Sequence, residues 1–230
     1  MKISITVLFF IAFNTLCFGQ TLKVNQLSTI EIDSIYNNSL KNKLQIDFAI
    51  FRVYQYQDKS GLHEIVMTEK DYVTKNGKKD SEGVKAYSFR ISEGNRIQEW
   101  KLKDYIIPTS NEEYSITFWT KYFEIKDYDG DGLADPILIY GTRAMNDYDD
   151  GRIKILTFHK GLKRAIRHQN GVQDNERNTQ VDQQFYKLPT KIQERVKKVI
   201  ELMTENNHAI FPYGWQEAMK NKELKFDENN

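Results

Sequence analysis

The sequence predicts an α+β fold of about eight mostly antiparallel strands, with one helix near the N-terminus and one or two at the C-terminus. Three observations carry this prediction. Residues 48–169 divide into short runs rich in Val, Ile, Phe, Tyr and Trp, separated by turn-forming clusters. The links between runs are too short for crossover helices, so neighbouring strands run antiparallel. Helical spacing occurs only outside that stretch, after Ser28 and after Pro189.

The chain begins with a leader-like segment. Lys2 is followed by an apolar stretch from Ile3 to Leu16 and then by Cys17-Phe18-Gly19, which offers small residues at −3 and −1 of a cut before Gln20. Residues 1–19 therefore read as a signal peptide, and the protein is expected to be exported to the periplasm or the extracellular space. The unbroken apolar core, Val7–Phe13, is far shorter than the roughly 20 residues a spanning helix needs. Lys2 is the only charge in the leader, so 33 basic residues become 32 against 32 acidic ones, and the mature chain is formally neutral. Cys17 leaves with the leader, which excludes disulfides, thiol nucleophiles and Cys-ligated metals. Leu16 stands where lipoprotein processing wants a small residue, so release is expected over lipid anchoring.

No Pro/Ser/Gly-rich linker divides residues 20–230, which read as one β-rich domain. Ser28-Thr29-Ile30-Glu31 matches a capping box, and Ile32, Ile35, Tyr36 and Leu40 follow at helical spacing, predicting a helix over 29–42. Residues 48–57 and 62–68 flank Asp58-Lys59-Ser60-Gly61 as one hairpin, and residues 85–91 and 96–102 flank Ser92-Glu93-Gly94-Asn95 as another. Tyr114, Ile116 and Phe118 alternate with Ser115 and Thr117, and runs at 136–141, 152–159 and 162–168 complete the set. Barrel, sandwich and propeller-like fragment all fit this pattern. Thr190-Lys191-Ile192-Gln193 is a second capping box, and Ile192, Val196, Val199, Ile200 and Met203 line one face of a helix over 190–205. Trp215, Ala218 and Met219 predict a last helix over 215–224.

The most specific chemical signal is the run Asp127-Tyr128-Asp129-Gly130-Asp131-Gly132-Leu133-Ala134-Asp135. Aspartates at loop positions 1, 3, 5 and 9, a Gly at 6 and the Leu133 carbonyl at 7 form the oxygen set that a hard cation requires, and Ca²⁺ is the natural guest. Without a cation these carboxylates repel one another. Position 12, where an EF-hand has its bidentate Glu, is Leu138 in an apolar strand. The loop instead resembles the calcium loops of integrin-type and VCBS/FG-GAP propeller repeats, although it occurs once and a propeller needs several blades. A structural role is expected, since no nucleophile or general base stands beside it in the sequence. A second acidic stretch, residues 146–151, falls at the far end of the intervening strand, roughly 20 Å away, and reads as a solvated loop.

After Gly151 the charge turns basic. Lys160, Lys163, Arg164 and Arg167 lie in one hairpin, a candidate contact for an anionic polysaccharide or an envelope glycolipid headgroup, with Tyr213 and Trp215 as candidate stacking partners. The charges occupy both strand parities, as in an ordinary solvated hairpin. Nucleic acid is a poor partner for a neutral exported chain. The four histidines have no ligand spacing, and no nucleophile elbow or phosphate loop is present. Glycosidase chemistry needs two carboxylates, but nothing selects among Glu112, Glu113, Asp174 and Glu176.

Residues 165–171, 176–182, 185–189 and 209–215 resemble a family of small exported bacterial proteins labelled surface polysaccharide biosynthesis proteins. That resemblance covers less than half of the chain and carries no catalytic residue with it. It implies an envelope role tied to polysaccharide, so the expected function is non-catalytic binding or assembly, with a carbohydrate-active hydrolase of unidentified carboxylate pair as the alternative.

Overall fold

Alternating side chains along long runs give the chain two open antiparallel sheets, of five and six strands, rather than a closed barrel. The computed structural model describes residues 22–228 except 71–72, 76–77, 108–112, 145 and 147–149; the leader lies outside the described residues. In chain order the elements begin with β1 (Lys23–Gln26), α1 (Thr29–Ile35), α2 (Asn38–Leu44), β2 (Ala49–Asp58) and β3 (Gly61–Glu69). A small β4–β5 hairpin (Val73–Lys75, Lys78–Asp80), β6 (Gly83–Ser92) and β7 (Asn95–Tyr105) follow. The second half contributes β8 (Ser115–Phe118), β9 (Ile137–Arg143), β10 (Arg152–His159), β11 (Leu162–Gln169) and β12 (Asn178–Val181). It closes with α3 (Thr190–Glu205), α4 (Trp215–Lys220) and β13 (Lys225–Asp227).

The first sheet has the order β1-β2-β3-β6-β7 and the second β13-β12-β11-β10-β9-β8. Their inner faces share one apolar cluster: Ile65, Met67, Val84, Ala86 and Leu102 from the first meet Ile116, Phe118, Leu138, Leu156 and Phe158 from the second. The opposite parity of the same strands faces helices. Val53, Val66, Tyr87 and Phe89 pack under α1 and α2, whereas Ile137, Ile139, Ile153, Ile155 and Ile166 pack under α3 and α4. The result is four layers, helix–sheet–sheet–helix, with both sheets apolar on two faces. Among the described residues no helix is long and apolar enough to cross a membrane.

The helix expected over 29–42 is two helices. Tyr36 is 2% exposed, and its hydroxyl reaches the buried Glu64 carboxylate on β3. Turning that ring onto the sheet breaks the helix, and the Asn37 side chain restarts it by accepting the Leu40 amide at 3.0 Å. The box at Ser28 forms as expected, with Ser28 N–H donating to Glu31 at 2.7 Å and Glu31 N–H to Ser28 Oγ at 3.3 Å. The box at Thr190 does not form: Pro189 occupies the cap, and Gln193 reaches back to the Leu188 carbonyl at 2.7 Å. Nor does the last helix run to 224. It ends at Lys220, Lys222 adopts a left-handed conformation, and Phe226, 2% exposed, pairs with Thr179 as β13 joins the sheet.

Helix α3 buries the five apolar residues read from its periodicity, all at 1% exposure or less. Each is worth about 1.5–3 kcal/mol of burial, so this face alone fixes the helix to the second sheet. Replacing Ile200 by Ala should cost about 2–5 kcal/mol in urea denaturation. A loss below about 1 kcal/mol would mean that α3 is not packed on the sheet.

Candidate functional site

The acidic loop is held at both ends by β-type hydrogen bonds. Glu124 and Ile137 exchange backbone bonds at 3.0 and 2.9 Å, and Asp135 N–H donates to the Lys126 carbonyl at 2.7 Å, closing residues 127–135 into a ring. Gly130 and Gly132 have φ of 84° and 86°, conformations that cost an L side chain strain. Inside the ring Asp127 accepts the amides of Gly130 (2.7 Å) and Gly132 (2.8 Å), while Asp129 accepts that of Asp131 at 3.1 Å. Carboxylate oxygens of Asp127, Asp129 and Asp135 all lie within 4.8 Å of one another, a set that can hold a metal ion.

Asp131 stands apart from this cluster. Its carboxylate accepts the Leu133 amide at 2.9 Å and pairs with Lys160 at 3.1 Å. Leu133 is half-buried on the loop's far side and lines a neighbouring cleft. Asp135 is 1% exposed, and burial pushes its carboxyl upward although His159 Nδ1 lies 2.7 Å away.

The loop is docked on the first sheet by the β2–β3 turn. Lys59 N–H donates to the Gly132 carbonyl at 3.0 Å, Lys59 Nζ reaches the Asp131 carbonyl, and the Ala134 amide donates to Asp58 Oδ2 at 3.0 Å. The other Asp58 oxygen accepts the Ser60 amide (2.7 Å) and hydroxyl (2.6 Å), and lies 3.2 Å from His63 Nε2. His63 Nδ1 is 3.1 Å from Glu99 Oε2, which also accepts the Ser88 hydroxyl at 3.0 Å. Burial works against the imidazolium of His63, but Glu99 and Asp58 outweigh it and raise the pKa. Burial likewise opposes ionisation of Asp58 and Glu99; hydrogen bonds from Ser60 and Ala134 to the first, and from His63 and Ser88 to the second, hold both below the usual carboxylate range. The three form a hydrogen-bonded Asp58–His63–Glu99 array in which each partner favours the charged form of the next.

One cleft opens at this junction, and another lies at the far end of β10 and β11. A cavity of about 310 Å³ opens between Asp58, His63, Glu99, Trp100, Phe158 and the loop at Leu133. Trp100 stacks on Phe158 at 3.9 Å and His63 on Tyr56 at 5.0 Å. A more polar cleft of about 480 Å³ lies along the second sheet between Arg152, Lys154, Arg167, Gln169, Asn178 and Gln180. There Lys154 and Arg167 are direct cross-strand neighbours, and Gln169 faces Asn178. Arg152 is bound to the buried Glu113, Lys154 to Asp104 at 2.6 Å, and Arg167 to Asp182 at 2.7 Å.

The basic hairpin is thus divided. Lys160 sits in its turn against Asp131, Lys163 is exposed with the parity of Arg167, and Arg164 has the opposite parity. Tyr213 is 91% exposed, but Trp215, expected as a stacking partner, is 6% exposed in the core with Phe211 and Met219, because the first turn of α4 points it beneath the helix layer. His168 is another core group, hydrogen-bonded to Thr179 and Asn170 and pushed down to about 4 by burial. Of the carboxylates offered by the sequence, Glu113 pairs with Arg152, Asp174 with Arg177, and Glu176 accepts the Gln173 amide; Glu112 lies outside the described residues. The residues 147–149 of the second acidic stretch do so too, and Asp150 binds Asn146 instead.

The array at His63 was missed by sequence reasoning, yet a signal existed: His63 shares the inward parity of Ile65 and Met67. Glu99 had none. The register slips between Ser88↔Trp100 and Phe89↔Gln98, so Glu99 is an extra residue whose bulge aims it inward.

Comparisons with protein-family models, with curated proteins and with solved structures find no match for this chain.

The array sets a pH dependence. With its folded pKa raised, His63 contributes stability that is complete below about pH 6.5 and is lost as pH rises through the folded value; Asp58 and Glu99 contribute stability that is lost in acid. Between about pH 6 and pH 9 the native protein should therefore lose more melting temperature than His63→Gln. Parallel curves for the two would contradict the charge coupling within the array.

Proposed function

We propose that the protein is exported and released after cleavage before Gln20, holds Ca²⁺ in the Asp127–Asp135 loop, and binds an anionic surface polysaccharide or envelope glycolipid without turning it over. The supporting observation is the polar cleft of the second sheet, where Lys154 and Arg167 stand beside three side-chain amides on neighbouring strands. Guanidinium and ammonium groups match carboxylate and phosphate, and amides match sugar hydroxyls. The carboxylates already paired with these cations keep the cleft near neutrality, so binding is of moderate strength and sensitive to salt.

Calcium suits the loop because the clustered side-chain donors are carboxylates and Leu133 holds the seventh position, whose carbonyl such loops use. Asp131 joins the set once Lys160 gives way to the ion. A hydrolytic carboxylate pair needs one member protonated. Asp58 and Glu99, which His63 and their hydrogen bonds hold below the usual carboxylate range, lack the raised member such a pair uses.

Calcium should raise the melting temperature and a chelator lower it, with Mg²⁺ less effective, since only the folded loop presents the ligands together. Asp129→Ala/Asp131→Ala should abolish the response; a melting curve indifferent to calcium removes the metal claim.

Retention on host surface polysaccharide should weaken as salt rises and drop in Lys163→Glu/Arg167→Glu, while Arg164→Glu, on the other face, leaves it unchanged. Product release in the same incubation would establish a hydrolase instead. Mass spectrometry of the native protein should find Gln20 as the first residue, and an acylated Cys17 or an intact Met1 would overturn release.

A further inference from the structure

The cavity beside the acidic loop is built from different chemistry than the cationic cleft. Its walls are the indole of Trp100, backed by the buried ring of Phe158 stacked against it, and Tyr56. Its polar groups are of both kinds. Glu99 uses Oε2 for His63 and Ser88, and among the described residues Oε1 accepts no hydrogen bond, although the side chain is 31% exposed. Ser60, whose hydroxyl donates to Asp58, and Lys160, paired with Asp131, line the same cavity. Asp58 is in turn paired with His63, which leaves Glu99 Oε1 as the cavity's acceptor. The array behind these groups is rigid: His63 is 2% exposed and the Asp58 side chain 5%, and each is held by at least two polar partners.

An indole wall with a carboxylate acceptor beside it matches a ring that is apolar on one face and carries hydroxyls around its rim. Such a ring needs an apolar face and an acceptor rather than a countercharge. At about 310 Å³ the volume lies at the small end of the range for ligand pockets, enough for one ring rather than a chain. We infer that this cavity binds a single uncharged sugar ring, stacked on Trp100 and anchored through a hydroxyl to Glu99 Oε1. The inference does not depend on the cationic cleft or on the anionic ligand proposed for it.

Methyl glycosides of glucose, galactose and N-acetylglucosamine are the probes, read by tryptophan fluorescence and by saturation-transfer NMR on the full exported chain, with choline as a cationic control. At least one glycoside should bind saturably with millimolar affinity. Glu99→Gln, which keeps the shape and removes the charged acceptor, should weaken it about tenfold. Trp100→Ala should abolish binding, and Trp100→Phe, which keeps a ring in the wall, should retain part of it if the alanine variant is unstable. No saturable response to any glycoside overturns the inference, as does affinity unchanged in both Glu99→Gln and Trp100→Phe, or binding of choline in place of the glycosides. Arg167→Glu, in the cationic cleft, should leave glycoside affinity intact; loss of polysaccharide retention alone then concerns the cationic cleft, and loss of glycoside binding alone concerns this cavity.

Discussion

The carboxylate of Asp58 is the point on which the two halves of the molecule depend. One oxygen fixes the β2–β3 turn and approaches His63, and the other accepts an amide from the acidic loop of the second sheet. A hydrogen bond from a backbone amide to an ionised carboxylate is among the stronger contacts a protein makes, and here it spans the boundary between the sheets. The loop, the aromatic cavity and the Asp58–His63–Glu99 array share this one group. Sheet packing alone would allow small sliding motions; the turn that grips the loop specifies one position.

Other buried ion pairs act in the same sense. Arg96 donates to Glu64 at 2.7 and 3.0 Å beneath Tyr36, Arg143 pairs with Asp80, and Arg152 holds Glu113. Burying such charges gains little net stability over apolar packing of equal volume, whereas losing one partner is costly. Their value lies in geometry: each links a strand to an element from another part of the chain, so wrong pairings leave an ionised group in the interior.

Periodicity made much of this fold legible. The long strands between residues 48 and 168, the face of α3 and the capping box at Ser28 follow from alternation, helical spacing and turn residues, which are local properties, whereas the short β4–β5 hairpin in that range was not read. Short polar strands were not legible: β1 is exposed throughout, and β13 has three residues of which only Phe226 is buried. They exist because an edge was available to pair with. The three carboxylates of the loop were readable because they lie within nine residues. The cavity was not, because Asp58, Glu99 and Phe158 come from three separate hairpins and one of them is aimed by a bulge. Trp215 illustrates the converse, an aromatic residue in an exposed-looking loop sequence that the helix layer takes inside.

The bond between Asp58 and Ala134 joins residues 76 positions apart, while the hairpins on either side are made of near neighbours. A contact of such separation closes a long loop, an entropic cost that the pairings within a hairpin do not bear. The clasp is therefore a long-range tie between two sheets that are otherwise built from local pairings. Loss of that one bond would strand the Asp58 carboxylate and the Ala134 amide at the seam while leaving the pairing within each sheet untouched.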